Sequence, residues 1–307
     1  MTAALRIGTR GSRLARVQTE LACRALAAAH PELAAPGALE PLVIRTTGDR
    51  VTDRPLAELG GKGLFCKEIE AALLDRRIDL AVHSMKDLPT WLTDGLVIGA
   101  VLERADPRDV LIARAPATIA ELPEGAVIGT ASVRRRAQLL ACRPDLRIVD
   151  FRGNVDTRLR KLAAGEVDAT LLAQAGLSRL GVAGAGALTL TLEEMLPAVG
   201  QGAIAIECRA DDAPTLALLA VIDHPASSAC VRAERALLAA LDGSCHTPIG
   251  GLAEILDGRL RLRALIARPD GSACLRAERS GVVADAEQLG RDAGEELRAR
   301  AGPGFFE

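Results

Sequence analysis

Ser84, Lys86 and Asp87 bring a hydroxyl, an ammonium and a carboxylate together near the end of Asp79-Leu-Ala-Val-His-Ser-Met-Lys-Asp-Leu-Pro89. Leu80, Ala81 and Val82 are the tail of an apolar run behind a helical pattern, and a run that short, ended by proline, reads as a buried strand of a parallel sheet. Ligands of open α/β sheets gather beyond the carboxyl ends of the strands, so these groups point at a crevice. A carboxylate there can steady a developing positive charge or move a proton, which makes Asp87 the leading catalytic candidate. A solvated Lys86 and Asp87 loop pair would have the same sequence.

Anion-binding chemistry is suggested in two places. Gly8, Thr9, Arg10 and Ser12 occupy a turn between Leu5-Arg-Ile-Gly-Thr9 and a segment carrying Leu14, Val17, Leu21 and Ala25 at helical spacing. Unpaired N–H groups and the positive dipole end of such a turn suit an anion, and Arg10 adds a planar fork for a carboxylate. Ser12 equally suits a plain N-cap. Farther on, Arg134, Arg135, Arg136, Arg152, Arg158, Arg160, Lys161 and Arg179 make a basic set. In Arg152-Gly-Asn-Val-Asp-Thr-Arg158, Gly153 and Asn154 form a turn before a helix with arginines on each side, a pattern for bidentate capture of carboxylate or phosphate. Arg160 and Lys161 fit a solvated helix face. Arg134 and Arg135 fit one less well, because cations are disfavoured on a first helical turn unless an anion lies there.

Cys245 lies in the tight loop Asp242-Gly-Ser-Cys-His-Thr-Pro-Ile-Gly250, beside His246. That setting invites covalent chemistry, although an unpaired cysteine also suits a buried, inert position. A hydrolase built on Cys245 and His246 is disfavoured, since sequence neighbours rarely take the separate positions of nucleophile and base. His30, His83, His224 and His246 lie far apart, so no metal site is expected.

The elements that must position these groups follow from the order of apolar segments. The 307 residues allow two or three domains, and 49% hydrophobic with 25% charged residues provides both core and surface. A second strand is expected over Leu42 to Arg45 and a helix over Leu64 to Leu74. Between them, 46–63 is polar with glycines at its end and reads as a mobile lid or as plain surface disorder. Ile7-Gly-Thr9 returns as Ile128-Gly-Thr130 ahead of another helix, and Arg77-Ile-Asp-Leu-Ala-Val82 returns as Glu166-Val-Asp-Ala-Thr-Leu-Leu172. Two copies of one α/β unit, facing each other across a ligand cleft, are therefore expected.

Crossovers at Glu103 to Pro107 and at Pro197 to Gly202 make the first domain discontinuous, with Ala203 to Glu207 returning to its sheet. The expected domains are 1–102 with 203–221, then 107–197, then 225–307. The last contains a helix from Ser227 to Leu241, three short strands turned by Asp257-Gly258 and Pro269-Asp-Gly271, and a helix over about Ala284 to Ala301.

A formal net charge of −2 and 2% aromatic residues argue against nucleic acid as a partner. The most apolar window, near 171–192, is interrupted by Gln174, Ser178 and Arg179, which argues against a membrane span. Seven widely spaced cysteines without Cys-x-x-Cys suggest neither a disulfide framework nor zinc, and Met1-Thr-Ala-Ala leads into Leu5-Arg-Ile without a secretion signal. A cytoplasmic protein is expected.

Together the segments resemble the hydroxymethylbilane synthase (porphobilinogen deaminase) family. The resemblance rests on Gly60-Gly-Lys-Gly-Leu-Phe65, Ala81-Val-His-Ser-Met-Lys-Asp87, Arg152-Gly-Asn-Val155, Leu196-Pro-Ala-Val-Gly-Gln-Gly202 and the Cys245 loop ending Pro248-Ile-Gly250. It implies an α/β fold of two periplasmic-binding-protein-like doubly wound domains plus a small α/β domain with a three-stranded antiparallel sheet. It further implies a dipyrromethane cofactor in thioether linkage to Cys245, porphobilinogen as substrate and a monomer. By the family pattern Asp87 is catalytic. Ser84, Lys86, Thr130, Ser132, Arg134, Arg135, Gly153, Asn154 and Arg158 would hold the cofactor, and Arg10, Ser12, Gln18, Phe65, Arg152, Arg179 and Gln201 the substrate. Ala131 stands where the family commonly has a second hydroxyl, leaving Thr130 or Ser132 to supply that hydrogen bond, and His246 stands where the residue after the anchor cysteine often differs. A solute-binding module of the same two-copy architecture is the main rival, but it has no use for Cys245.

Overall fold

The structure, a computed structural model, describes residues 4–50, 66–115, 117–182, 186–243 and 247–306. The chain opens with β1 (Leu5–Thr9), α1 (Arg13–Ala29), β2 (Leu39–Val43), α2 (Thr47–Arg50), α3 (Lys67–Leu74), β3 (Leu80–Ser84) and β4 (Leu96–Val101). Next come β5 (Asp109–Ala113), β6 (Val127–Gly129), α4 (Val133–Cys142), β7 (Arg147–Val149), α5 (Val155–Ala163), β8 (Ala169–Ala173), α6 (Gln174–Leu180) and β9 (Ala187–Thr189). β10 (Ile204–Arg209), α7 (Ala213–Ile222), α8 (Pro225–Ala240), β11 (Ile249–Leu256), β12 (Arg259–Ala267), β13 (Cys274–Val282) and α9 (Ala286–Ala301) complete it. The described part of the expected 46–63 lid is Thr46 and α2; 51–65, with Phe65, lies outside the described residues, as does Cys245 with Ser244 and His246.

Two compact units result, Met1–Arg104 with Ala203–Ser228, and Ala105–Gly202 with Ala229–Glu307. The first holds a sheet of order β2-β1-β3-β10-β4, the second a sheet of order β7-β6-β8-β5-β9. The internal echo is visible in this order: β1 corresponds to β6, β2 to β7 and β3 to β8. Each sheet then takes one strand running against β3 or β8, namely β10 or β5. The run before Asp87 does form a buried strand parallel to β1, but the sheet around it is mixed. β1 lies parallel to both β2 and β3, whereas β10 enters from the return crossover without a βαβ connection and pairs antiparallel. β2 also begins earlier than the sequence suggested, at Leu39, with Pro41 inside it; an edge strand tolerates that missing N–H.

Hydrophobic burial fixes these sheets. Ile7, Leu26, Leu80 and Ile206 are sealed in the first unit, and Leu111, Ile128, Leu139 and Leu171 in the second. Each such side chain contributes about 1.5–3 kcal/mol relative to exposure. The antiparallel sheet β11-β12-β13 buries Leu260, Leu262 and Ile266 against Leu237 of α8 and Leu297 of α9. Leu252, Leu265 and Ala267 pack with Ala137 of α4 and Leu196, so within the second unit the small sheet is joined to the arginine-bearing helix. Asp257 and Gly258 both take positive φ, 49° and 74°, as a two-residue hairpin turn between β11 and β12 requires. Among the described residues no single helix is long and apolar enough to cross a membrane; α7 and α8 pass that test only as a pair bent by 109°.

Candidate functional site

In the first unit, β1 and β3 lie side by side and end in the same direction, so the turns that follow them are neighbours. Ser12 caps α1, its side chain accepting the Ala15 N–H at 3.2 Å. Gln18, buried one turn farther along α1, donates from Nε2 to Ser84 Oγ at 2.8 Å. β3 stops at Ser84, and Met85–Asp87 coil into a short 3-10 turn that buries Met85 and leaves the Asp87 carboxylate about one-third exposed. Arg10 Nη1 lies 3.7 Å from Asp87 Oδ2. Arg10, Ser12, Gln18, Ser84 and Asp87 line one cavity, with His83 and Cys66 also in its wall.

Beneath that cavity is a buried set the sequence reading did not single out. His83 Nε2 lies 3.0 Å from Glu207 Oε2 of β10, both side chains sealed, and Glu207 Oε1 has no hydrogen bond among the described residues. Burial, reinforced by Asp87, Glu207 and Glu70, pushes the Cys66 thiol up, so it stays protonated and is no nucleophile. The available clue was the register of two strands far apart in sequence, Ala205 opposite His83 and Glu207 opposite Ala81.

The second unit gathers the arginines. Ser132 caps α4, which places Arg134 and Arg135 on its first turn, and both are buried. Their partner is Asp109, the fully buried first residue of β5. Asp109 Oδ1 accepts from Arg135 Nη2 at 2.7 Å and Nε at 3.2 Å, and Arg134 Nη2 pairs with Oδ2 at 2.8 Å. Burial alone would raise the Asp109 carboxyl; Arg134 and Arg135 outweigh it and hold it well below the usual carboxylate range. A carboxylate of the protein itself therefore stands at the helical turn where the sequence suggested an anion.

Gln201 Nε2 donates to Asp109 Oδ1 at 2.9 Å and to the Pro107 carbonyl at 2.7 Å. Arg179 Nη2 donates to the Gly202 carbonyl at 2.6 Å, and burial pushes its guanidinium down. Gly202 has φ +89°, and a Cβ there would stand 2.4 Å from the Ala105 carbonyl oxygen, so the crossover backbone is close-packed at this point.

Around Arg158 the local structure is a turn and cap. Gly153 takes φ +120°, Asn154 caps α5 by accepting the Thr157 N–H at 2.9 Å, and Arg158 Nε donates to the Gly153 carbonyl at 2.9 Å. Burial, with Arg135 and Arg152 nearby, pushes the Arg158 guanidinium down to about 10, against the pull of Asp150. It remains a cation at neutral pH. Thr130 Oγ1 accepts the Ser132 N–H at 3.1 Å and Ser132 Oγ accepts that of Arg135 at 3.4 Å, so both hydroxyls shape the same turn.

Arg134 and Arg135 pair with Asp109, and Arg158 lies near Arg135, Arg152 and Asp150. The positive excess, with repulsion felt at Arg158, suits a ligand bearing several carboxylates. Lys86 belongs with Asp87 in the first unit.

Comparison with known proteins follows the same lines. The family model described as "Porphobilinogen deaminase, dipyromethane cofactor binding domain" matches residues 5–217, and "Porphobilinogen deaminase, C-terminal domain" matches 228–299. Porphobilinogen deaminase of Paracoccus denitrificans (strain Pd 1222) is 56% identical over 303 residues, covering 99% of this chain and 96% of that protein. The chloroplastic porphobilinogen deaminase of Oryza sativa subsp. japonica is 50% identical over 307 residues, covering 99% and 86%. Among solved structures, the periplasmic aliphatic sulphonate binding protein of Escherichia coli is 18% identical with a TM-score of 0.42, covering 78% of this chain and 70% of that one.

Proposed function

The chain belongs to the porphobilinogen deaminase family, and from that premise we propose a residue-level reading of its reaction. It is a transferase of tetrapyrrole biosynthesis, condensing four porphobilinogen molecules head to tail with loss of ammonia and then releasing linear hydroxymethylbilane with water. Dipyrromethane, when bound, supplies the pyrrole terminus from which the product is extended.

Loss of ammonia leaves the methylene carbon of porphobilinogen conjugated to a positively charged ring, and joining two rings ends with loss of a proton. Asp87 serves both needs. A carboxylate about 4 Å from a unit cation stabilises it by on the order of 4 kcal/mol at an effective dielectric near 20, equivalent to several decades of rate. Its exposure also leaves it reachable for the proton, a contribution of roughly 10²- to 10⁴-fold.

Each porphobilinogen carries an acetate and a propionate, and permanently charged arginines suit them. Arg10, Ser12, Gln18, Phe65, Arg152, Arg179 and Gln201 are assigned to substrate. Ser84, Lys86, Thr130, Ser132, Arg134, Arg135, Gly153, Asn154 and Arg158 are assigned to the cofactor, with Cys245 as its thioether anchor. Ser12, Ser132 and Asn154 act by capping, which orients the N–H groups beside the cations. Arg134 and Arg135 act as a pair whose charge Asp109 offsets only in part. The division into 1–102 with 203–221, 107–197 and 225–307 is retained as part of this reading, as are a cytoplasmic monomer and the absence of nucleic-acid or membrane partners.

The observation that carries the reading is the place of Asp87: on the turn after β3, beside Arg10 and in the wall of the cavity shared with Ser84 and Gln18. Intact-protein mass spectrometry tests the anchor. The active protein should carry an acid-stable excess of two pyrrole units that is absent from Cys245→Ser, and an active but unmodified protein would refute it.

A further inference from the structure

We propose that Asp109 is a positioning residue for the reaction: its buried carboxylate stands between Arg134 and Arg135 and, with Gln201, fixes both guanidinium groups and the crossover backbone in the arrangement that receives acid side chains. The proposal rests on the reading that the arginine cluster receives those acid groups, and gives Asp109 a role in catalysis beyond the charge it contributes there.

Two guanidinium groups are only 4% and 5% exposed at the N-terminal turn of α4, where both burial and the helix dipole oppose a cation. One carboxylate, fully buried at the start of β5, faces both. It cancels one of the two charges, so the pair keeps a net positive charge for an incoming anion. Geometry adds a second reason. Arg135 is held by a fork, Nε and Nη2 both on Asp109 Oδ1, while its Nη1 donates to the Leu171 carbonyl at 2.8 Å. Arg134 Nη1 donates to the Leu196 carbonyl at 2.6 Å, and its Nε has no hydrogen bond among the described residues. A sealed cation with an unused donor is kept in place by its carboxylate partner rather than by a complete hydrogen-bond set.

Asp109 also reaches the crossover. Gln201 Nε2 bridges Asp109 Oδ1 and the Pro107 carbonyl, and Gln138 ties Leu196 by its carbonyl and its N–H. Removing the carboxylate would thus free the arginine pair and slacken segments 105–109 and 196–202 together. A salt bridge that only stabilised the fold would change melting temperature and leave substrate affinity alone.

The test uses the cofactor-loaded enzyme and two readouts, the fraction of chains carrying the cofactor by intact mass, and KM apart from kcat. Asp109→Ala should lower the loaded fraction and raise KM about tenfold or more, with the smaller change in kcat. Formate should restore both by filling the vacated carboxylate position, and chloride at equal ionic strength should not. Asp109→Glu, which keeps the charge but displaces it, covers the case in which Asp109→Ala does not fold; it should raise KM while the melting temperature changes by no more than a few degrees. Wild-type KM and loading in a folded Asp109 variant, or formate restoring the melting temperature alone, would overturn the proposal. Arg158→Ala separates the two levels: if it loses loading or affinity while the Asp109 variants do not, only this inference fails, and if it is unaffected the carboxylate-capture reading fails first.

Discussion

Arg10 Nη1 lies 3.7 Å from Asp87 Oδ2, which sets a cation from the turn after β1 beside the carboxylate on the turn after β3. Both side chains are partly exposed in the wall of one cavity, so neither is there to fill core volume. On the proposed reading, this pairing offers a guanidinium for a substrate acid group and a carboxylate for the positive charge that departure of ammonia creates.

Arg10→Gln should therefore weaken substrate capture more than the fold. Hydrogen bonds to charged groups contribute about 1.5–3 kcal/mol, so KM for porphobilinogen should rise roughly tenfold to a hundredfold. Steady-state kinetics beside a thermal melt checks this. An unchanged KM with a lowered melting temperature would assign Arg10 to stability alone.

Acid sensitivity should centre on Asp109. Arg134 and Arg135 hold its folded-state value below that of the unfolded chain, which titrates near 3.9. The unfolded state then binds the proton first as pH falls, so this carboxylate's contribution is complete above about pH 4 and is lost progressively below it. Urea midpoints measured from pH 6 down to pH 3 should show a steeper acid decline in the wild-type protein than in Asp109→Asn, whose stability should already be low at pH 6. Parallel pH profiles in the two proteins would remove Asp109 from the acid transition.

Much of this arrangement was legible in the sequence because it is local. The apolar run ended by Pro89 marked β3 and set Asp87 on its terminal turn, and the echo of Ile7-Gly-Thr9 in Ile128-Gly-Thr130 marked two sheets with corresponding strand orders. What stayed hidden depends on long separations. The return of Ala203 to Glu207 to the first sheet was expected, but not its antiparallel sense, which makes the sheet mixed, nor that this strand brings Glu207 to His83 across 124 positions. Asp109 meets Gln201 across 92 positions. The sequence suggested that Arg134 and Arg135 suit an anion on their helical turn better than a solvated face. It could not show that a carboxylate of β5 already stands there, because strand pairing rather than helical spacing brings Asp109 beneath α4.

The role of Asp87 is tested most directly by single-turnover kinetics of Asp87→Asn on protein whose cofactor content has been verified by intact mass. The substitution keeps size and polarity while removing the charge, so loading and melting temperature should stay close to wild type. Release of ammonia should slow by at least about a hundredfold, in keeping with an electrostatic contribution on the order of 4 kcal/mol. A loaded, folded Asp87→Asn enzyme that releases ammonia at nearly the wild-type rate would contradict the account.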